Sequence, residues 1–130
     1  MKKHILFIDD DEDELKLFID ALNDVNIPYK CTWAKSGEQA LKQLTYFTPD
    51  IIFLDLNMPC MNGLDCLAAI KQQPRLKACP VVLHSTAMTV DWRIKGMRLG
   101  AATCLVKAET SSNLVLIMAQ LIPLDPIAAL

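Results

Sequence analysis

Residues 4–22 read HILFIDDDEDELKLFIDAL. Four apolar residues, Ile5–Ile8, run without interruption, and six acids follow them at positions 9–14. Leu15, Phe18, Ile19 and Leu22 then recur at helical spacing. A short continuous apolar run fits a strand buried on both faces, and the 3.6-residue period fits a helix packed on it. The acids between them pose the question. A charge run is ordinarily a solvated face, and only the rest of the chain can say whether these carboxylates do more.

The same strand-then-helix round recurs four times. YKCTWA (29–34) is a second strand, less apolar and therefore at an edge, and Ser36 with Gln39 forms a capping box ahead of Ala40, Leu41 and Leu44. DIIFL (50–54) is a third strand, followed by the turn-rich NMPCMNG (57–63) and a helix from Leu64 to Gln73 stopped by Pro74. PVVLH (80–84) leads to a helix from Thr89 to Leu99, closed by Gly100 in the left-handed conformation. ATCLV (102–106) leads to a last helix from about Ser112 to Ile122, ended by Pro123. Such alternation implies a parallel sheet covered on both faces, and right-handed crossovers make it a doubly wound α/β sandwich. The reading is one domain over 1–122 and a short tail over 123–130.

Composition narrows the function classes. The 130 residues are 52% hydrophobic, which requires a packed core. A net charge of −2 gives no reason to expect nucleic acid or an anionic membrane as partner. The five cysteines, Cys31, Cys60, Cys66, Cys79 and Cys104, have neither zinc nor redox-motif spacing. They read as free thiols in a reducing compartment, mostly core filler, with Cys60 the exposed one. The apolar part of MKKHILFI is too short for a signal peptide, and no run approaches the ~20 apolar residues of a membrane span. A cytoplasmic protein is expected.

Ligands of open α/β sheets bind outside the carboxyl ends of the strands. Asp9 and Asp10 follow the first strand, Asp55 the third, Ser85 and Thr86 the fourth, and Lys107 the fifth. Three carboxylates, a hydroxyl and an ammonium thus converge on one edge. Repelling acids make sense there if they share a hard cation such as Mg²⁺, which takes carboxylate and carbonyl oxygens. Asp55 can also serve as a covalent acceptor, as carboxylates do in aspartyl-phosphate chemistry. A phosphoryl group on it needs its charge neutralised, by the metal on one side and Lys107 on the other. Asp11–Glu14 instead open the first helix, where negative charge favours the N-terminal dipole. His84, inside the fourth strand, reads as a hydrogen-bonded strand residue rather than a ligand.

With DD at 9–10, LDLNMPCMNG at 54–63, HST at 84–86 and VK at 106–107, the chain resembles the receiver domain of bacterial two-component response regulators, of the stand-alone, chemotaxis-regulator-like type. The resemblance runs from residue 4 to about 122. It implies a flavodoxin-like sheet of strand order 2-1-3-4-5 and a phosphoryl group received by Asp55 from the phosphohistidine of a sensor kinase or phosphotransfer protein. Asp10, Asp55 and the Asn57 backbone carbonyl would hold Mg²⁺ directly and Asp9 through water. Ser85 and Lys107 would each take a phosphoryl oxygen. Two positions depart from the pattern: Ala108 stands where the family has proline, commonly after a cis peptide, and Cys104 where it has the aromatic that reads out the switch.

Three other readings are weaker. A docking module that works without phosphorylation would not need the full Asp/Asp/Asp/Ser/Lys set. An aspartyl-phosphate hydrolase would carry an acid where Asn57 stands. A flavodoxin-like redox protein would have a Ser/Thr/Gly phosphate loop in place of the acids after strand one. The helical wheel of the last helix turns Leu114, Ile117, Met118 and Leu121 to the sheet and Leu116 and Ala119 outward. In the fourth helix it places Val90, Ile94 and Met97 in the core and Trp92 and Leu99 outside. Trp92, Leu99, Leu116 and Ala119 then form an apolar face expected to serve self-association or an output partner.

Overall fold

The computed structural model describes residues 2–24 and 28–122. Five strands, β1 (Lys3–Ile8), β2 (Tyr29–Ala34), β3 (Ile51–Asp55), β4 (Val81–Ser85) and β5 (Thr103–Val106), form one sheet of order β2-β1-β3-β4-β5. Every pairing is parallel. The helices are α1 (Glu12–Asn23), α2 (Gly37–Gln43), α3 (Gly63–Lys71), α4 (Val90–Arg98), α5 (Lys107–Ser112) and α6 (Leu114–Leu121). The doubly wound architecture expected from the alternating runs is the one found. The expected tail, 123–130, lies outside the described residues.

Side-chain alternation along the strands divides the core in two. Leu6, Ile8, Ile52, Leu54, Val81 and Leu83 face α2, α3 and α4, where Ala40, Leu44, Cys66, Leu67 and Ile70 meet them. Ile5, Phe7, Ile51, Phe53 and Val82 face α1 and α6, packing on Phe18, Leu22, Leu114, Ile117 and Met118. Phe7 stacks on Phe18 with ring centroids 4.4 Å apart, an arrangement worth about 1 kcal/mol beyond its buried area. Central strands covered on both faces need apolar side chains at every position, which is why they read as unbroken runs.

Caps mark the helix starts. The Asp11 carboxylate accepts from the Asp13 N–H and leaves Glu12, Asp13 and Glu14 in the first turn of α1. Ser36 Oγ accepts from the Gln39 N–H, while the Gln39 side chain reaches back to the Lys35 N–H, one residue beyond the expected capping-box partner. Gly100 takes φ +106° after α4, the left-handed turn its sequence position predicts.

Four local expectations need correction. The helix expected from Ser112 to Ile122 is preceded by a further helix, α5, which starts at Lys107 and meets α6 at Asn113. KAETSS carries no apolar stripe, so periodicity could not reveal it. Helix α3 ends at Lys71 rather than Gln73, and Pro74 instead opens a short 3-10 turn, Pro74–Leu76. His84 is buried, but neither ring nitrogen has a hydrogen-bond partner among the described residues. It lies on the α1-facing side beside Phe7 and Phe53, and burial, reinforced by Lys107, pushes its pKa down to about 3, leaving the ring neutral.

The fourth correction concerns α4, whose expected core stripe faces outward. Val90, Ile94 and Met97 are exposed, whereas Trp92 is half-buried against the core. Gly96 is the cause. A Cβ there would lie 2.8 Å from both Cys104 Sγ and Leu83 Cδ2, so the helix approaches the sheet through its smallest residue. Leu99, Leu116 and Ala119 are exposed as expected.

Candidate phosphoacceptor and metal site

Because β1 pairs with β2 on one side and β3 on the other, strand order reverses there and a crevice opens at the carboxyl ends. Asp9 leaves the end of β1, and Asp55 and Ser85 are the last residues of β3 and β4. Carboxylate oxygens of Asp9, Asp10 and Asp55 all lie within 4.8 Å of one another. Asp9 is fully buried and Asp55 nearly so, whereas Asp10 is exposed.

Lys107, the first residue of α5, holds this cluster together. Its ammonium donates to Asp9 Oδ2 at 2.9 Å and lies 3.7 Å from Asp55 Oδ2 and 4.0 Å from Glu14 Oε2. Burial alone would lower its pKa, but the hydrogen bond to Asp9 and the charges of Asp55, Asp9 and Glu14 outweigh it and raise the value. Asp55 moves the other way for an acid. Burial first, then the Asp9 charge, push it from 3.8 to about 6 against the pull of Lys107 and the Asn57 N–H, with Asp10 adding to the rise.

Two polar links tie the loop after β3 to this site. The Asn57 N–H donates to Asp55 Oδ1 at 3.2 Å, and the Asn57 side-chain amide donates to Ser85 Oγ at 2.8 Å. The same loop turns back into α3 at Gly63, whose N–H donates to the Leu56 carbonyl. A Cβ on Gly63 would come within 2.4 Å of the Asp55 carbonyl oxygen, so only glycine lets α3 start against the acceptor strand.

Asp9, Asp10, Asp55, Asn57, Ser85 and Lys107 are therefore brought together at the carboxyl end of the sheet. Three contacts at the site have no signal in the sequence: Glu14 beside Lys107, the Asn57 side chain as the partner of Ser85, and Trp33, whose indole N–H donates to the Asp9 carbonyl at 2.9 Å. These contacts join different elements and leave no periodic signal. The donors are hard oxygens without a cysteine or histidine, a set suited to Mg²⁺ or Mn²⁺ rather than zinc.

The sequence model of the response regulator receiver domain matches residues 5–119. The chain belongs to this family. The receiver is 32% identical over 111 residues to the transcriptional regulatory protein PrrA of Mycobacterium leprae, covering 85% of this chain and 46% of PrrA. It thus spans about half the length of that curated relative. Among solved structures it is similar to the phosphorylated cyanobacterial phytochrome response regulator RcpA, at 26% identity, TM-score 0.82 and coverage of 93% and 94% of the two chains. It is also similar to the Mn²⁺-bound form of response regulator Rcp1, at 26% identity, TM-score 0.79 and coverage of 94% and 99%. No helix among the described residues of the receiver is long and apolar enough to cross a membrane.

Both departures from the family pattern have a local structure. The peptide bonds of the described residues are all trans, Lys107–Ala108 included. Cys104 is buried with its thiol against Gly96, and the Arg93 guanidinium donates to the Cys104 carbonyl, latching α4 to β5.

Proposed function

We propose that this receiver is a phosphoacceptor switch that takes a phosphoryl group on Asp55 from the phosphohistidine of a sensor kinase or phosphotransfer protein. The observation that carries the reading is the placement of Asp55, at a strand mouth within 4.8 Å of two further carboxylates and 3.7 Å from Lys107. An Asp55 carboxylate oxygen attacks phosphorus, the P–O bond forms, and the P–N bond to the donor imidazole breaks with the electron pair leaving on nitrogen.

Asp10, Asp55 and the Asn57 carbonyl would hold Mg²⁺, with Asp9 acting through water. The ion would supply charge neutralisation for the phosphoryl oxygens. Lys107 neutralises from the opposite side, and Ser85 exchanges its Asn57 partner for a phosphoryl oxygen. The chemistry is confined to the receiver's own phosphorylation and dephosphorylation, in the cytoplasm, with a separate output protein or a second copy as the listener. The similarity to phosphorylated RcpA and to Mn²⁺-bound Rcp1 supports the phosphoryl and metal halves of this reading.

Incubation with acetyl phosphate and Mg²⁺, followed by intact mass, tests it. One added phosphoryl group that disappears when EDTA replaces Mg²⁺ is the expected result. Labelling that ignores EDTA would separate the acceptor from the metal site and overturn the combined assignment.

A further inference from the structure

We infer that Trp33, on the edge strand β2, is a positioning residue for the metal-binding turn. This rests on the metal-site reading above and adds a determinant of its affinity. Every polar group of Asp9 is held. Its N–H donates to the Ala34 carbonyl at 3.1 Å, its Oδ1 accepts from the Asp11 N–H at 3.0 Å, and its Oδ2 accepts from Lys107. Its carbonyl accepts from the Trp33 indole. Asp10 differs, for no hydrogen bond reaches its carboxylate among the described residues. The direction of that exposed ligand is therefore set through the backbone, and the Asp9–Asp10 peptide is a rigid plane gripped at its oxygen by Trp33.

Tryptophan suits the task because the indole N–H only donates and its ring leaves few rotatable bonds. Trp33 is itself fixed. Its carbonyl accepts from Gln43 Nε2 at 3.2 Å and the Lys35 ammonium sits 5.0 Å from the ring centroid. Its body packs against the core on the α1 side. Removing the indole N–H frees the Asp9 carbonyl to turn towards water and lets Asp10 wander from the position the cation needs. Partners that orient a ligand in this way commonly change metal affinity by about tenfold or more.

The test is calorimetric titration with Mg²⁺ alone of the wild type, Trp33→Phe and a protein carrying 3-benzothienylalanine at position 33, which keeps the indole shape without the N–H. Lys35→Ala is the control that leaves the N–H in place. Both replacements at 33 are expected to raise the Mg²⁺ Kd about tenfold, Lys35→Ala to leave it unchanged, and the rate of Asp55 phosphorylation to return to the wild-type value at saturating Mg²⁺. Wild-type affinity in both replacements, or a rate defect that excess Mg²⁺ does not repair, overturns the inference while leaving the metal site standing. A wild type that binds no Mg²⁺ overturns the site and the inference together.

Discussion

The Lys107 ammonium donates to the fully buried Asp9 carboxylate at 2.9 Å. The residue proposed to neutralise a phosphoryl group is thus already paired with an acid in this site. Lys107→Met leaves Asp9 and Asp55 as buried like charges, and losing one partner of such a cluster costs about 3 kcal/mol. Urea denaturation at pH 7 should show a loss of that order, shrinking at pH 5 where Asp55 takes up a proton. An equal loss at both pH values would remove carboxylate repulsion as its cause.

The raised pKa of Asp55 has its own signature. Because the folded value, about 6, lies above the ordinary 3.8, the contribution to stability is fully present below the unfolded value and is lost as pH rises through about 6. The difference corresponds to at most about 3 kcal/mol. In EDTA, the wild type should lose stability relative to Asp55→Asn between about pH 4 and pH 7, and Mg²⁺, which favours the charged carboxylate, should reduce that loss. Parallel stability curves for the two proteins in EDTA would contradict the shift.

How far the sequence reached depends on the kind of interaction. Buried parallel strands must be apolar throughout, so a carboxylate immediately after one marks its mouth, and Asp9, Asp55, Ser85 and Lys107 were legible for that reason. The α4 face was not. Hydrophobic periodicity assumes that large residues make the contact, whereas Gly96 makes it by having no side chain. Helix α5 was hidden because KAETSS buries little besides Thr110. The His84 ring nitrogens, without a hydrogen-bond partner among the described residues, and the indole bond of Trp33 were hidden because each depends on residues distant in the chain.

Ser85 Oγ accepts from the Asn57 amide at 2.8 Å, and in the proposed switch its hydroxyl turns to a phosphoryl oxygen. Ser85→Ala should therefore accept the phosphoryl group but fail to shift population afterwards. Hydrogen exchange of β4 and α4 before and after phosphorylation reads this directly, with a change in the wild type and none in the variant. A variant that cannot be labelled yet still rearranges with a phosphoryl mimic would reverse the two roles.

Val90, Ile94 and Met97 on α4 and Val115 and Leu116 on α6 are exposed together with Leu99, while Trp92, expected on the outward face, is half-buried against the core. Self-association through these helices should weaken in Ile94→Lys/Leu116→Glu with phosphorylation of Asp55 unchanged. Sedimentation velocity should show the wild type moving from an oligomer towards monomer in that variant. A wild type that is monomeric with and without phosphorylation leaves only a different protein as the partner.

Intact mass of the wild type beside Asp55→Asn, each with Mg²⁺ and acetyl phosphate, puts Asp55 as the acceptor to the test. One phosphoryl group is expected on the wild type, mapped by peptide mass to the segment containing Asp55, and none on the variant. A phosphoryl group that persists on Asp55→Asn, or maps to another residue in the wild type, would contradict it.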